Sequence, residues 1–387
     1  MKQYPSPIVV IAPDSFKGSL SAEQVARAIA VGVQRALSDV TIRICPMADG
    51  GEGTLAALMT KGGLRREVSV RGADGGMRDV SVGMAADGAA IIETAEIVGI
   101  TDPVGMSVPV EKRSSQGLGE VIRVLLDSGV RGFLIGLGGT STNDGGAGLL
   151  AHLGLKLFDS QDRRLDPTPE HLLRLARVDA SGLDERLQDS SFVAMTDVNS
   201  PLTGRYGATA VFGPQKGVKP EQVDVLDALL GKFADLVEPA MNRFAREKAG
   251  AGAAGGLGFA LHLLGASFEP GAEVVARHIE LDAALQGADW LITGEGRSDN
   301  QTLQGKAPFV ACSHARELGV PATLLSGAID PAALSELAGH FTGCFSSAPG
   351  PISLERAMRD AAMLLSDAAE QMARLRFATL GDATTRR

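Results

Sequence analysis

LITGEGRSDNQTLQGKAP, residues 291–308, decides how this chain is read. The apolar run 290–293 lies between Asp289 and Gly294 and has the length and bounds of a buried strand. A polar loop follows, with Glu295, Arg297, Asp299, Gln301, Thr302 and Lys306 set among glycines 294, 296 and 305. A helical pattern begins near Ala307. Strand, polar loop, helix is the grammar of an open α/β sheet, which places its ligands beyond the carboxyl ends of its strands. Two carboxylates, an arginine and a lysine in one such loop suit one metal ion and one phosphate. They equally suit a solvated loop with an ion pair, so the rest of the chain has to decide.

The same grammar opens the chain. An apolar strand at 8–12 ends in PDSFKGS (13–19), and a helix spans 22–37 with Ser21 and Gln24 as a capping box. A second strand, 41–45, ends in PMADGGEGT (46–54), followed by a helix to about residue 61. Consecutive strand–helix units imply a parallel sheet with right-handed crossovers. The pattern changes after Gly62. Residues 66–70 and 79–84 alternate apolar and polar around the turn residues 73–76, which is hairpin grammar. A helix ending near Gly129 and a strand at 133–137 lead into GGTSTNDGGAG (138–148), five glycines in eleven residues. Such a loop lets backbone N–H groups approach an anion. Residues 163–188 read as a charged surface segment with helical turns. A strand at 192–196 follows, then a long helix from Pro220 that Pro239 should kink or interrupt. The strand–helix grammar returns after 286, with strands within 321–326 and 340–346 and a helix over 353–377. The expected organisation is therefore α/β with two domains: a parallel-sheet domain from both chain ends (1–63 and 286–377), an inserted α/β domain with a mixed sheet (64–285), and a flexible tail (378–387).

Composition narrows the function classes. Hydrophobic residues are 44% and charged residues 21%, as in a folded globular chain. A net charge of −9 argues against a nucleic-acid or anionic-membrane binder. Three cysteines without a CxxC pair suggest free thiols in a reducing cytoplasm. No apolar run reaches the length of a membrane span.

Loops of glycine, carboxylate and one basic residue are what phosphoryl transfer requires. Oxygen ligands hold Mg²⁺, a cation offsets the γ-phosphate charge, a carboxylate takes the hydroxyl proton, and N–H groups cradle phosphate. The usual nucleotide signatures GxxxxGK[ST], HRDLxxxN and DFG are missing. Gly250, Gly252 and Gly255 fit GxGxxG but do not follow a strand, which weakens a dinucleotide-dependent oxidoreductase as the rival reading. A non-catalytic small-anion or nucleotide sensor is the other.

Six stretches in order resemble the type 1 glycerate kinase family: APDSFKGSLSA (12–22), MADGGEGT (47–54), GGTSTNDGGAG (138–148), GATAVFGPQKG (207–217), GAGAAGGLG (250–258) and TGEGRSDNQTLQGKAP (293–308). Ser200 and Val310 stand where the family pattern has Asn and Gly. The resemblance implies a Rossmann-like or flavodoxin-like domain and a second α/β domain with a cleft between them. It also implies ATP and Mg²⁺, and phosphorylation of D-glycerate with 2-phosphoglycerate favoured over 3-phosphoglycerate. A small-molecule substrate is then expected, without nucleic acid or membrane, leaving room for a homo-oligomer.

From the chemistry, Asp49 or Asp197 would accept the hydroxyl proton. Lys17 and Lys306 would steady the transferring phosphate, and Glu295 with Asp299 would hold Mg²⁺. Arg297 and the loop residues Gly138, Gly139, Thr140, Ser141, Asn143 and Asp144 would take the carboxylate. Asp14, Ser15, Gly50, Gly51, Glu52, Lys216, Gln301 and Thr302 complete the expected substrate and phosphate contacts.

Overall fold

The structure, a computed structural model, describes residues 6–381. The chain divides into two compact units. The first takes in the described residues up to Asp49, then Ala56–Lys61, and the chain from Ala272 onward. The second comprises Gly50–Leu55 and Gly62–Gly271. The return to the first unit thus falls at Ala272, where the sequence reading has 286. Helices Gly271–His278 and Leu281–Leu285 account for the difference, because His314 on helix Ala307–Glu317 binds Glu273 and Asp282 on them.

The first unit is built on a five-stranded sheet, entirely parallel, in the order Gly343–Ser346, Ala322–Ser326, Trp290–Thr293, Ile8–Ile11, Thr41–Ile44. Counted along this unit the order is 2-1-3-4-5, the flavodoxin-like arrangement. Val9, Val10 and Ile11 are solvent-free, as are Leu291 and Ile292, because helices cover both faces of a parallel sheet. Helix Ala22–Ala36 begins at the capping box of Ser21 and Gln24. It packs on helix Ala361–Gly381 so closely that a Cβ on Gly32 would lie 2.0 Å from the Ser366 carbonyl oxygen. The expected helix over 353–377 is two helices, Leu354–Arg359 and Ala361–Gly381, separated at Asp360. The second runs past residue 377, and residues 382–387 of the expected tail lie outside the described residues.

The second unit holds a six-stranded mixed sheet, ordered Ser267–Glu269, Ser191–Met195, Gly132–Gly136, Ala90–Glu93, Met77–Met84, Leu64–Arg71. Its last two strands form the expected hairpin, with Val68 opposite Val80 and Val70 opposite Arg78. Its core gathers Phe133, Ile135, Leu149, Leu150, Phe233 and Phe259. Helix Val223–Met241 runs through Pro239 without breaking; the proline lies in the last turn, which closes on Asn242 at φ 51. Segment 163–188 has its helical turns at Pro169–Leu172 and Glu185–Asp189. It also contributes strand Arg177–Asp179, antiparallel to Lys156–Phe158, and buries Leu165, Leu172 and Leu175. Among the described residues no helix is long and apolar enough to cross a membrane.

Candidate active site

In the first unit, strands Ile8–Ile11 and Trp290–Thr293 are neighbours whose connections leave in opposite directions along the sheet. A crevice forms where strand order reverses in this way, and ligands bind there. The two loops leaving these strands are tied together, Asp14 N–H donating to the Gly294 carbonyl at 2.8 Å. Gly294 must lack a side chain: a Cβ there would lie 1.8 Å from the Leu325 carbonyl oxygen.

A cavity of about 660 Å³ lies here, entirely within the first unit. Its lining includes Asp14, Ser15, Lys17, Asp49, Glu295, Arg297 and Lys306. Asp14 is 4% exposed. Burial first, then the neighbouring Asp49 charge, push its carboxyl up to about 7. The Ser15 N–H and Lys17 oppose that rise, and Glu295 adds to it. Glu295 is held in place by Thr302 Oγ1 at 2.6 Å and Ser298 Oγ at 3.1 Å, and Lys306 Nζ lies 3.6 Å from its other oxygen. Burial makes its carboxyl a weaker acid than an ordinary carboxylate, raising its pKa against the pull of Thr302, Lys306 and Ser298. Ser15 Oγ is buried and has no hydrogen-bond partner among the described residues. Such an atom on a cavity wall suits a bound ligand or water.

The remaining expected residues divide clearly. Asp299 accepts the Gln301 N–H at 2.9 Å in a local turn, Thr302 is buried behind Glu295, and exposed Arg297 pairs with Asp330 at 3.2 Å. Asp299 lies outside the cavity lining, whereas Asp14 and Asp49 line it together with Glu295. Gly50, Gly51, Glu52 and Asp197 belong to the second unit, with Glu52 and Asp197 exposed. Glu93, which the sequence reading does not single out, accepts the N–H groups of Gly53 and Leu55, each at 3.1 Å, and burial pushes its carboxyl up to about 7.

The 138–148 loop is bonded inward. Gly138 N–H donates to Gly50 O, Ser141 N–H to Val98 O and Gly145 N–H to Gly255 O. Gly139 is the exposed residue of the loop. Asp144, solvent-free, accepts from Ser115 N and Oγ (2.8 Å each), Gly146 N (3.1 Å) and Gly148 N (3.2 Å). Asn143 donates to Thr209 at 3.0 Å. Lys216 is 2% exposed and donates to Thr142 O at 2.7 Å, with Thr140 Oγ1 at 3.4 Å. Burial pulls its ammonium down to about 7, Asp144 opposing and Arg113 reinforcing the shift. The nearby glycines at 250, 252 and 255 serve close backbone packing, since a Cβ on Gly255 would come within 2.0 Å of Thr142 O.

A model of the glycerate kinase family matches residues 9–376. The chain belongs to the glycerate kinase family. The glycerate kinase of Bacillus subtilis (strain 168) is 40% identical over 374 residues, covering 94% of this chain and 96% of that protein. The glycerate 2-kinase of Escherichia coli (strain K12) is 39% identical, over 83% of this chain and 85% of its own length. A crystal structure from Salmonella typhimurium LT2, described as glycerate kinase 2, superposes with a TM-score of 0.83 at 38% identity, covering 97% of this chain and 99% of that one. Membership makes the chain an ATP-dependent phosphotransferase with an alcohol group as acceptor.

The lining also includes the apolar residues Phe16, Pro351, Ile352, Leu354, Met358 and Leu364. None of these carries obvious chemistry, so the sequence reading does not count them among the site residues. The sequence does mark the place: the Pro-Gly-Pro run at 349–351 follows strand Gly343–Ser346, again at a strand's carboxyl end.

Proposed function

We propose that the chain transfers the γ-phosphoryl group of ATP to D-glycerate and forms 2-phosphoglycerate. The observation that carries this reading is the set of carboxylates and lysines gathered at the switch point of the first unit's sheet. The relatives named glycerate kinase supply the acceptor, and the Escherichia coli relative named glycerate 2-kinase supports the 2-position.

The donor set suits Mg²⁺. Among the described residues no three of His, Cys, Asp or Glu form a ready-made metal cage. Mg²⁺ needs none, because it typically takes one or two carboxylates with waters and substrate phosphates. Asp14 and Glu295 are hard oxygen donors whose burial favours their protonated forms, a penalty that a bound cation relieves. They are the residues that would hold it. Bound there, Mg²⁺ supplies neutralisation of charge on the β- and γ-phosphates. Lys17 and Lys306 offset further negative charge as the phosphoryl group moves, and Asp49, half-buried on the same wall, accepts the hydroxyl proton. The three cysteines are free thiols in the structure, which favours a reducing cytoplasm.

Phosphorus NMR on the purified protein with ATP, Mg²⁺ and D-glycerate tests the reading directly. A phosphoglycerate resonance is expected, and its proton coupling separates the 2- from the 3-phosphate. No product from folded protein would remove the acceptor assignment. Asp49→Asn should lower kcat about 100-fold or more, as loss of a general base does. Retention of wild-type kcat would show that the base lies elsewhere.

A further inference from the structure

The second unit carries a cavity of its own, about 520 Å³, which shares no residue with the one in the first unit. Its lining is cationic in a chain whose net charge is −9. Arg123, Lys156 and Arg164 stand there against one carboxylate, Asp166, and His152 joins them. The three cations come from separate segments: helix Gln116–Asp127, strand Lys156–Phe158 and the stretch 159–168 that follows it. Gly154 and Gly182, also in the lining, pack so closely that a Cβ on Gly154 would lie 1.9 Å from the Gly182 carbonyl oxygen, so the backbone here is held firmly.

The neighbouring carboxylates are engaged. Glu120 accepts the Arg71 N–H at 2.7 Å and Gln116 Nε2 at 3.2 Å and pairs with the Arg71 guanidinium. Asp184 accepts from Arg186 Nε and Nη2. The cations are engaged less fully. Lys156 Nζ is 3.7 Å from Asp179, beyond hydrogen-bond reach. Arg123 spends Nη2 on the His152 carbonyl at 2.8 Å, which orients its fork, but its Nε is buried with no hydrogen-bond partner among the described residues. A buried N–H left in that state calls for a water or an ion. The exposed Arg164 guanidinium forms no ion pair or hydrogen bond among the described residues. Burial lowers the proton affinity of His152, Glu120 opposing and Arg123 and Arg71 reinforcing, so the imidazole is mainly neutral at pH 7. Three cations against one carboxylate leave two positive charges in excess.

We propose that this cavity binds a small phosphate monoester dianion, with its phosphoryl oxygens on Arg123, Lys156 and Arg164. Two planar guanidinium forks offer paired donors to such oxygens, and the charge excess matches a dianion. The volume leaves room for a carbon skeleton beyond the phosphate. A ligand held by three separate segments also stabilises the unit that carries them. No part of this assignment rests on the kinase reading of the first unit.

The experiment is proton–carbon NMR of the six histidine side chains in the full chain, with the His152 signal identified by its loss in His152→Gln. The titrants are methyl phosphate, malonate and chloride at matched ionic strength. A saturable displacement of the His152 signal by methyl phosphate is expected. Arg164→Gln should weaken it about tenfold or more and Lys156→Gln about threefold or more. Lys17→Gln should leave the curve unchanged, because phosphate in the first unit's cavity is not its source. Thermal melting verifies that each variant folds; Arg164 is exposed, and if its variant fails, Lys156→Gln decides. A His152 signal that follows chloride and methyl phosphate alike would overturn the site, as would a curve unaltered in the folded variants. Tighter binding of malonate than of methyl phosphate would overturn the phosphate assignment.

Discussion

Replacing Asp144 separates two roles that its sequence context leaves open. If it met substrate, Asp144→Ala would chiefly raise KM or lower kcat. The structure instead surrounds it with Ser115 N and Oγ, Gly146 N and Gly148 N, all donating to one solvent-free carboxylate. Hydrogen bonds to a charged group contribute about 1.5–3 kcal/mol each, and a buried donor left without its partner costs about 1–3 kcal/mol. Four in one cluster are not additive, and water entering the vacated space recovers part of the loss. A net cost of about 4 kcal/mol is the reasonable expectation for alanine. Asp144→Asn keeps one acceptor oxygen but turns an amide toward the Gly146 or Ser115–Gly148 donors, so about 2 kcal/mol is expected. At roughly 2–4 °C per kcal/mol for a cooperative unit of this size, alanine lowers the melting midpoint by about 10 °C and asparagine by about half that. Differential scanning fluorimetry reads both, alongside kinetics of whatever folded fraction remains at low temperature. A variant that melts with wild type but binds D-glycerate poorly would refute the reasoning and return Asp144 to the substrate.

The remaining predictions concern the first unit. Gly294→Ala forces a Cβ against the Leu325 carbonyl and should cost about 2 kcal/mol through strand displacement; an unchanged melting midpoint would mean that the central strands yield more easily than their packing implies. Burial lowers the affinity of His314 for a proton, but hydrogen bonds to Asp282 at 2.6 Å and Glu273 at 3.1 Å lift it above its ordinary value overall. A folded-state value raised above the unfolded one contributes stability that is complete below the unfolded value near 6.5 and is lost as pH rises through the folded one. His314→Gln should therefore lower the midpoint by about 1–3 °C at pH 5.5 and leave it nearly unchanged at pH 9, the modest size reflecting the exposure of both carboxylates. Equal shifts at both pH values would exclude the ion pairs as the cause.

The central strands of the first unit are legible in the sequence because each is a short apolar run between polar residues, and because Val9, Val10 and Ile11 are all buried, as both faces of a parallel sheet require. The hairpin at Leu64–Arg71 and Met77–Met84 is legible for the opposite reason, an alternation that only a one-sided sheet produces. The cavity loops are visible in composition, and Asp14, Ser15, Lys17, Asp49, Glu295, Arg297 and Lys306 do come together. Composition cannot show which polar groups are already satisfied. It does not reveal that Asp144 accepts from Ser115 N–H, that Lys216 donates to Thr142 O, or that Asp299 accepts from Gln301 N–H. Nor can it show that Leu354 and Met358, placed on a helix by the apolar pattern, line that cavity. The division at Asp360 is hidden for a related reason: a polar residue in a helical pattern is ordinary, and here it ends one helix and precedes the next.

The strand at Ile8–Ile11 has a consequence during synthesis. It emerges from the ribosome early, together with its neighbour Thr41–Ile44, but its other partner, Trp290–Thr293, follows roughly 280 residues later. At about 5–20 residues per second, one edge of that strand waits about 15–60 s for its pair. Meanwhile both segments of the second unit, Gly50–Leu55 and Gly62–Gly271, have been synthesised, so that unit can fold first. An unpaired, wholly apolar strand is a template for misassociation, so this waiting period is when that edge is open to wrong partners. Placing residues 6–49 after residue 381 by circular permutation would shorten that wait to roughly 100 residues while keeping the same strand order in the sheet.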